Sequence, residues 1–442
     1  MTRPIAVDLF AGAGGLSLGF EQAGFDVVGA VESDPIHCAV HKFNFPTCAI
    51  LPEPIGSRST AKLRQLSRIG NRSVDCVFGG PPCQGFSLIG HRALNDPRNS
   101  LVLEFVRTVV ELDAKSFVFE NVKGLTVGYH RALLEELVTA FDAAGYAVRL
   151  PWKVLDASSY GVPQRRQRLF LIGTKKGLPL PEYPPIQTAP ADDSRDGVCT
   201  GPTCEEALAD LPNADRYAEL ESSDSVRIPT WGRMSSYAQE LRCIADHAWH
   251  YGYKRRWDPG KLTSSWRTRH TEISQRRFSE TAAGKVEPIS RFFRLDRKGL
   301  SNTLRAGTDG ARGAFTSPRP VHYEFPRCIT VREMARLHSF PDWFRLHSTK
   351  WHGARQVGNA VPPAMARAVA AEVMKALGQT PQRPSEGLEL GDESLLYFDM
   401  SKAAQFFDVP APNTRRDRKS GAKKRKQHDI ERARLVALTA NG

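Results

Sequence analysis

The sequence is poor in the features that mark secreted, disulfide-rich or zinc-binding proteins. Its 442 residues include eight cysteines, and none of them form a Cys-x-x-Cys pair. Cys199 and Cys204 are the closest two, and no histidine cluster accompanies them. This spacing argues against a zinc site and against a disulfide framework. We therefore expect no metal ion and a reducing, cytoplasmic environment in which most cysteines are small core residues.

Long apolar runs are also missing. No stretch approaches the roughly 18 consecutive apolar residues of a membrane-spanning helix. The first residues, Met1 to Pro4, lead directly into a short apolar segment and show none of the features of a secretory signal. We expect no association with a membrane.

Negative charge is in deficit. The formal net charge is +13, from 61 Lys and Arg against 48 Asp and Glu. A basic balance suits a polyanionic partner, because each phosphate that is neutralised releases counterions. A soluble protein with a basic tail explains the same number, since the segment from Arg415 to Lys426 is strongly basic. Charge alone leaves both readings open.

Within the first 175 residues, apolar strand-like segments alternate with helical patterns. The predicted strands are 4–10, 25–33, 73–80, 116–121, 147–157 and 168–174, and the predicted helices are 16–24, 101–112 and 131–145. The 101–112 segment is apolar almost all round and is predicted to be fully buried. This alternation predicts an α/β domain with a mostly parallel sheet covered by helices on both faces.

The pattern changes after residue 176. Residues 177–230 are rich in Pro, Asp and Ser, and 250–300 are dense in Arg, Lys and aromatic residues. A helix that begins with two prolines and stops at Gly378 follows. We predict a catalytic and cofactor-binding domain (1–176), a smaller irregular domain (177–325), a return to the first domain (326–378) and a basic, partly disordered extension (379–442).

Chemistry-bearing residues follow the predicted strands. In a parallel sheet, ligands bind beyond the carboxyl ends of the strands. The turn Gly12–Gly15, then Glu32, the segment after Gly80, and Glu120 all occupy such ends. Glycines allow a tight turn and close approach to a ligand, and a carboxylate about 20 residues later suits ribose hydroxyls. Ser17 replaces the third glycine of the dinucleotide pattern, so an adenosine cofactor without a pyrophosphate fits better. A tight turn that binds nothing is the alternative.

Cys83 is a candidate nucleophile. It follows Pro81 and Pro82 in a loop at the ligand edge, and the prolines fix where the sulfur points. A thiolate in a polar, preorganised site is reactive, whereas most lone cysteines are packed hydrophobic residues. The loop position favours the reactive reading for Cys83.

Two further groups could act on a substrate at this edge. Glu120 ends a strand, where partial desolvation would raise the carboxyl pKa and keep it protonated. Arg166 and Arg168 precede an apolar strand and are predicted to face the same side, toward one pocket. A helix-capping carboxylate and a solvated edge strand are the structural alternatives.

Taken together, these segments resemble the DNA cytosine-5 methyltransferase family, in its bacterial restriction-modification form. The resemblance rests on DLFAGAGG, PPCQGFS, ENV, QRRQR, REMARLHSFPDWF and QVGNAVPPAMA, in this order. It covers roughly residues 4–175 and 320–378. It implies a Rossmann-like S-adenosylmethionine-dependent methyltransferase fold whose middle segment recognises the target DNA.

The resemblance also implies residue roles. Cys83 would add to C6 of a flipped-out cytosine, Glu120 would protonate N3, and Arg168 would bind O2, with Arg166 supporting the loop or a phosphate. The implied cofactor residues for S-adenosylmethionine are Phe10, Gly12, Gly14, Glu32, Pro82, Leu101 and Asn359. The implied DNA-contacting residues are Gln84, Ser87 and Arg98. Asn359 comes from the far end of the chain, so the last helix should pack beside the first strand.

One departure concerns the adenine contact, where the family usually has an acidic residue after the third strand. Pro54 stands near that position and Glu53 precedes it, so we leave the contact unassigned. The expected partners are double-stranded DNA and a restriction endonuclease acting on the same site without a stable complex. We expect a monomer that is cytoplasmic and associated with the nucleoid through DNA.

Three alternatives stay open from the sequence. A tRNA cytosine-5 methyltransferase would use the same chemistry, although the basic middle segment favours duplex DNA. A catalytically silent DNA-binding protein on this fold is less favoured, since Cys83, Glu120 and Arg168 are intact. A nicotinamide dehydrogenase is a distant fourth candidate.

Overall fold

A computed structural model describes residues 3–56, 59–82, 100–128, 130–193, 196–308 and 316–411. In the first 175 residues, strands alternate with helices as predicted. The strands are β1 (Ile5–Leu9), β2 (Asp26–Val31), β3 (Ala49–Leu51), β4 (Cys76–Gly79), β5 (Ser116–Val122), β6 (Tyr146–Val148), β7 (Lys153–Asp156) and β8 (Gln167–Lys175). The helices are α1 (Gly15–Ala23), α2 (Pro35–Asn44), α3 (Ser59–Leu66), α4 (Ser100–Glu111) and α5 (His130–Ala143).

The strands form one sheet in the order β3-β2-β1-β4-β5-β8-β6, with β7 also paired to β8. β1 to β5 are parallel, whereas β6, β7 and β8 pair in antiparallel fashion. The predicted α/β fold with a mostly parallel sheet is confirmed. Because β8 runs opposite to β5, the beginning of β8 lies beside the carboxyl end of β5, where Val122 pairs with Arg168.

Helices cover both faces of the sheet. Alternate side chains of β1 point to opposite faces, as a strand requires: Val7 packs in the core formed with α3, α4 and α5, and Ala6 in the core formed with α1 and α2. The prediction that the 101–112 helix is fully buried is wrong. Leu103 and Val110 of α4 are 38% and 44% exposed, because only one face of the helix meets the sheet.

The rest of the chain contains short elements. The helices are α6 (Cys204–Leu208), α7 (Ser236–Leu241), α8 (Glu272–Glu280), α9 (Val331–Arg336), α10 (Lys350–Asn359), α11 (Pro363–Ala376) and α12 (Met400–Phe406). The strands in the described residues of this part are two residues long: β9 (Thr188–Ala189), β10 (Cys199–Thr200), β11 (Val226–Arg227), β12 (Arg255–Arg256), β13 (Lys261–Leu262) and β14 (Leu388–Glu389), and short 3-10 helices lie between these elements.

The returning helix α11 packs against helix α1, whereas the sequence led us to expect it beside the first strand. A Cβ at Gly19 would overlap the Cβ of Ala366, so the two helices approach each other as closely as small residues allow. This contact brings the end of α10, which precedes α11, back to the glycine turn between β1 and α1.

Part of the basic middle segment is structural. The Arg255 side chain is fully buried and pairs with Glu21 of α1 at 2.7 Å, while its guanidinium lies 4.9 Å from the Trp343 ring. Arg256 and Arg276 are exposed and pair with Glu389 and Glu280. The buried Arg255–Glu21 pair holds the segment to the rest of the protein, whereas the exposed pairs bind their arginines only weakly.

The described part of the C-terminal extension contains folded elements. Residues 388–407 include β14 and α12, and Leu395, Leu396 and Phe398 are buried. The basic run from Arg415 to Lys426 lies outside the described residues. None of the helices in the described ranges is long and apolar enough to cross a membrane.

Candidate active site

A cavity of about 770 Å³ lies at the carboxyl ends of β1, β2, β4 and β5. Its volume falls in the range typical of small-molecule sites. Of the residues predicted from the sequence, its wall contains Phe10, Gly12, Glu32, Pro82, Glu120, Arg168 and Asn359. The chain thus brings together, at one sheet edge, groups separated by more than 300 residues, because β1, β4 and β5 are neighbours and α10 returns to them.

The glycine turn holds the Glu32 carboxylate in place. The backbone N–H of Gly12 donates to Glu32 Oε2 at 2.8 Å, and that of Asp34 donates to Glu32 Oε1 at 2.8 Å. An ionised carboxyl has roughly four acceptor positions, so both oxygens can accept further bonds from the cavity. Phe10 has a φ of 63°, which turns the chain sharply from β1 into this loop.

Two predicted cofactor residues lie elsewhere. Gly14 has a φ of 101°, and a Cβ there would overlap the Phe45 ring, so this glycine faces the core beneath the turn. Leu101 packs against the core at the start of α4. Neither is among the described residues that line the cavity. Gly14 permits the turn that places Gly12, and Leu101 contributes to the core.

A buried polar network supports the same turn from below. Ser17 Oγ donates to Asp8 Oδ2 at 2.6 Å and lies 3.2 Å from His41 Nε2. Burial raises the pKa of Asp8 to about 8 and lowers the pKa of His41 to about 3. Near neutral pH the histidine is therefore uncharged, and the Asp8 carboxyl is mostly protonated, which reduces the cost of burying both groups.

The opposite side of the cavity carries the Glu120–Arg168 pair. Arg168 Nε lies 2.9 Å from Glu120 Oε1, and both side chains are nearly buried, at 13% and 11% exposed. A Cβ at Gly80 would overlap Glu120 Oε2, so only glycine leaves room for the carboxyl there. Asn121 Nδ2 donates to the Pro81 carbonyl at 3.0 Å and ties β5 to the segment that leads into Cys83.

Burial raises the pKa of the Glu120 carboxyl, and the neighbouring guanidinium groups of Arg168 and Arg166 oppose that rise. The carboxyl therefore exchanges its proton more readily near neutral pH than an exposed glutamate does. The Glu120 carboxyl can accept a hydrogen bond, and the adjacent Arg168 guanidinium can donate one. The pair is therefore suited to bind a planar ring that carries both a hydrogen-bond donor and an acceptor.

The expectation that Arg166 and Arg168 point into one pocket is wrong for Arg166. Its side chain is wholly buried and donates to the carbonyls of Leu304, Gly358 and Ala360, at 2.9, 2.8 and 2.8 Å. It is not among the described residues that line the cavity. Arg166 instead holds the 304 segment and the end of α10 against β8, which makes it a positioning residue.

Cys83, Gln84, Ser87 and Arg98 lie outside the described residues. The chain enters that segment through Pro81, which is buried, and Pro82, which lines the cavity. The predicted roles of these four residues stay predictions.

Sequence reasoning missed several residues in the wall: Ser33, Asp34, His37, Ala306, Gly307, Thr308, Arg355 and Met400. The segment 300–313 is rich in Gly and Thr. Its described part reaches the cavity beside Gly358, where a Cβ would overlap the Ala306 nitrogen. Local sequence gives no signal that Met400 would return to this site.

The residues present fit an adenosyl ligand. Glu32 presents a fixed carboxylate for ribose hydroxyls, and a Cβ at Gly12 would meet no protein atom within 4 Å, which leaves the wall open there. Glu53, the doubtful adenine contact, binds Lys62 and accepts from Ser59 Oγ at 3.3 Å, and it is absent from the described wall. In the described part of the chain, no group of three His, Cys, Asp or Glu residues could hold a metal ion.

Comparisons with known proteins agree with this geometry. The family model of C-5 cytosine-specific DNA methylases matches residues 5–375. The Type II methyltransferase M.XorII of Xanthomonas oryzae pv. oryzae is 55% identical over 92% of this chain and 93% of its own length. The Type II methyltransferase M1.HphI of Haemophilus parahaemolyticus is 34% identical over 84% of this chain and 86% of its own.

Solved structures lead to the same fold. A crystal structure of a prophage-encoded DNA modification methyltransferase from E. coli superimposes with a TM-score of 0.66 at 30% identity, over 85% of this chain and 100% of that one. The S. pombe Dnmt2 methyltransferase reaches a TM-score of 0.51 at 15% identity, over 85% and 99%, and resembles this chain in fold alone. The sheet, the site at its edge and these matches agree: the chain belongs to the family of C-5 cytosine-specific DNA methylases.

Proposed function

We propose that this protein transfers a methyl group from S-adenosylmethionine to carbon 5 of a flipped-out cytosine in a short duplex DNA site, through a covalent bond to Cys83. The observation that carries the proposal is the shared cavity. The Glu32 carboxylate and the Glu120–Arg168 pair lie in its wall together with Pro82, the residue before Cys83. A ligand held by Glu32 and a base held by Glu120 would therefore meet in the same cavity.

The proposed chemistry begins at Cys83. Its thiolate adds to C6 of the cytosine ring and pushes electrons toward C5, which becomes nucleophilic. Glu120 gives a proton to N3 and holds the N4 amino group, so the ring does not accumulate negative charge. Arg168 donates a hydrogen bond to O2. After methylation, a base such as water removes the C5 proton, the proton on N3 returns to Glu120, and the thiolate leaves as the double bond re-forms.

S-adenosylmethionine, when bound, supplies a methyl group on a sulfonium centre. The chain's own contribution is position. Glu32 would bind the ribose hydroxyls, while Phe10, Gly12 and Asn359 would form the wall around the ligand. Arg166 would act indirectly, because it fixes the end of α10 from which Asn359 extends into the wall.

A cytosine in duplex DNA is stacked and must be extruded to reach this cavity, at a cost of a few kcal/mol. We propose that Gln84, Ser87 and Arg98, which follow Pro82 in sequence, contact the DNA while the base is out. The net charge of +13 supports binding to the phosphate backbone. The middle segment, 177–325, would then read the bases of the target site.

The names of the relatives suggest a biological setting. M.XorII and M1.HphI are both Type II methyltransferases, and this chain aligns with more than 80% of each. We propose that this protein is a monomeric modification enzyme that protects DNA from a restriction endonuclease with the same target. No stable complex with that endonuclease is needed, because protection works through the methylated base.

Covalent trapping tests the proposal directly. The full-length protein is incubated with S-adenosylmethionine and duplex DNA, in which 5-fluorocytosine replaces cytosine at the methylated site, identified beforehand by bisulfite sequencing of host DNA. Fluorine at C5 cannot leave as a proton does, so an adduct that survives denaturing electrophoresis should accumulate. We expect the adduct with wild type and with Cys199→Ser, a control at an exposed cysteine.

Cys83→Ser should give no adduct and nearly no turnover while it still binds DNA, because a hydroxyl is far less ionised than a thiol. Normal turnover by this variant would remove Cys83 from the mechanism. A parallel assay with labelled cofactor compares duplex DNA with tRNA. Methylation of tRNA alone would replace the proposed substrate, and binding without any methylation would favour a silent DNA-binding protein.

A further inference from the structure

The C-terminal strap, residues 388–407, is attached along its length to distant parts of the protein. Leu388 N donates to the Lys254 carbonyl at 2.8 Å, in the β12–β14 pairing. Gly391 N donates to the Phe43 carbonyl at 2.8 Å, at the far end of α2. A Cβ at Gly391 would lie 2.8 Å from the Phe43 Cα, so the strap runs in close contact with this helix.

The middle of the strap is held by buried apolar and polar contacts. Leu395 and Leu396 are 3% and 0% exposed, and the Leu396 carbonyl accepts from Ser348 N at 3.0 Å. Tyr397 donates its hydroxyl to Asp224 Oδ1 at 3.1 Å. Burial of this kind fixes the path of the chain, because displacing the strap would return both leucines to water.

That path leads to the cavity. His347 Nε2 lies 2.9 Å from the Phe398 carbonyl, and Asp399 caps α12 by accepting from Lys402 N at 2.8 Å. Met400 is therefore the first residue of a helix whose start is fixed from both sides. α12 packs against α2, whose first turn contributes His37 to the cavity wall.

Met400 lies in the same wall as Glu32 and differs in character from the residues around that carboxylate. Ser33, Asp34 and His37, which continue the wall from β2 into α2, are polar. Met400 is partly buried and packs against the core, so its side chain is held in place. A thioether is polarizable and packs favourably on the edge of an aromatic ring.

We propose that Met400 is a binding residue for the adenosyl part of the ligand, and that the strap carries a section of the cofactor site. This inference rests on the proposed use of S-adenosylmethionine. Glu32 fixes the ribose. Phe10 offers apolar surface to the attached base from the β1 side of the wall, whereas the α2 side, with Ser33, Asp34 and His37, lacks apolar surface. Met400 supplies it from a part of the chain beyond α11.

Calorimetric titration of the full-length protein with S-adenosylhomocysteine, in the absence of DNA, tests the inference. We expect Met400→Ala to weaken binding by about five- to twentyfold and Met400→Leu to recover most of the loss, because leucine restores apolar contact. Gln405→Ala is the matched control: Gln405 lies on the same helix, is exposed, and is not among the described wall residues. It should bind like wild type.

Steady-state kinetics separates binding from general damage. Loss of a contact that is made equally in the ground and transition states raises KM for S-adenosylmethionine and leaves kcat nearly unchanged. Met400→Ala should show this split, with an unchanged Kd for duplex DNA. Should Met400→Ala lower the Tm, Met400→Gln, which keeps the length of the side chain, takes its place, and it should weaken binding to a similar extent.

Wild-type affinity in a folded Met400→Ala or Met400→Gln variant would overturn the inference, as would equal weakening in Gln405→Ala. These results leave the proposed function intact, because wild type still binds the ligand. Failure of the wild-type protein itself to bind S-adenosylhomocysteine would reject the proposed cofactor and this inference with it.

Discussion

Replacing Glu32 with glutamine changes one atom in the part of the site that the structure defines best. Each carboxylate oxygen accepts a backbone N–H at 2.8 Å, one from Gly12 and one from Asp34. An amide has one oxygen and one NH2 group. In Glu32→Gln the NH2 group must therefore face one of these two N–H donors, and the same group cannot accept from a ribose hydroxyl.

The size of the effect follows from this geometry. Hydrogen bonds to charged groups contribute about 1.5–3 kcal/mol each, and the substitution removes at least one of them from the bound state. Since about 1.4 kcal/mol corresponds to a factor of ten, affinity for S-adenosylmethionine should fall by about 10- to 150-fold. Part of this loss comes from the turn itself, because Gly12 is no longer held in place by a charged acceptor.

Isothermal titration calorimetry of the DNA-free protein measures this loss, with Glu53→Gln as the matched control. Glu53 binds Lys62 and Ser59 and is not among the described wall residues, so its substitution should leave affinity within about twofold of wild type. Binding by Glu32→Gln that is also within twofold of wild type would refute the role of this carboxylate.

Two further substitutions test the surroundings of the site. Gly80→Ala places a Cβ against the Glu120 carboxyl and should reduce kcat for methyl transfer at least about tenfold. Gly124→Ala is the control, because a Cβ at Gly124 would meet no protein atom closer than 4.0 Å, and its kcat should equal that of wild type. Equal kcat values for the two variants would contradict the steric argument. Burial raises the pKa of Asp8 from 3.8 to about 8, so the folded protein binds more protons than the unfolded chain between these values, and stability falls as pH rises through them. Urea unfolding from pH 5 to 8 should show that the free energy of unfolding declines less steeply for Asp8→Asn than for wild type or for Asp142→Asn, a control at an exposed site. An equal slope of this free energy against pH in Asp8→Asn and wild type would exclude Asp8 as the source of the decline.

The middle segment illustrates why charge alone leaves the DNA surface unassigned. Arg255 is buried against Glu21, and the exposed side chains of Arg256 and Arg276 pair with carboxylates. Exposed ion pairs contribute little to stability, so the arginines in them can exchange an acidic partner for a phosphate. The buried pair cannot, because desolvation makes it costly to separate.

The sequence by itself determined the local elements and most of the site. Apolar period, prolines and glycines placed α1 up to Gly24 and α11 from Pro363, because strand, cap and turn preferences depend on a few neighbouring residues. The spacing from the glycine turn to Glu32 was sufficient to predict that the two lie together, since consecutive parallel strands end at the same edge of a sheet. Strand alternation indicated Arg168, and the family resemblance added Asn359; both residues line the cavity.

The tertiary structure alone decided where long-range contacts form. The antiparallel direction of β8 puts Arg168 beside Glu120, whereas Arg166 is turned into the protein to bind three carbonyl groups. Gly14 faces Phe45 and Met400 reaches the cavity from near the end of the described chain. These outcomes depend on packing between residues that are far apart in sequence, and no pattern within a short segment encodes which distant surface it will meet.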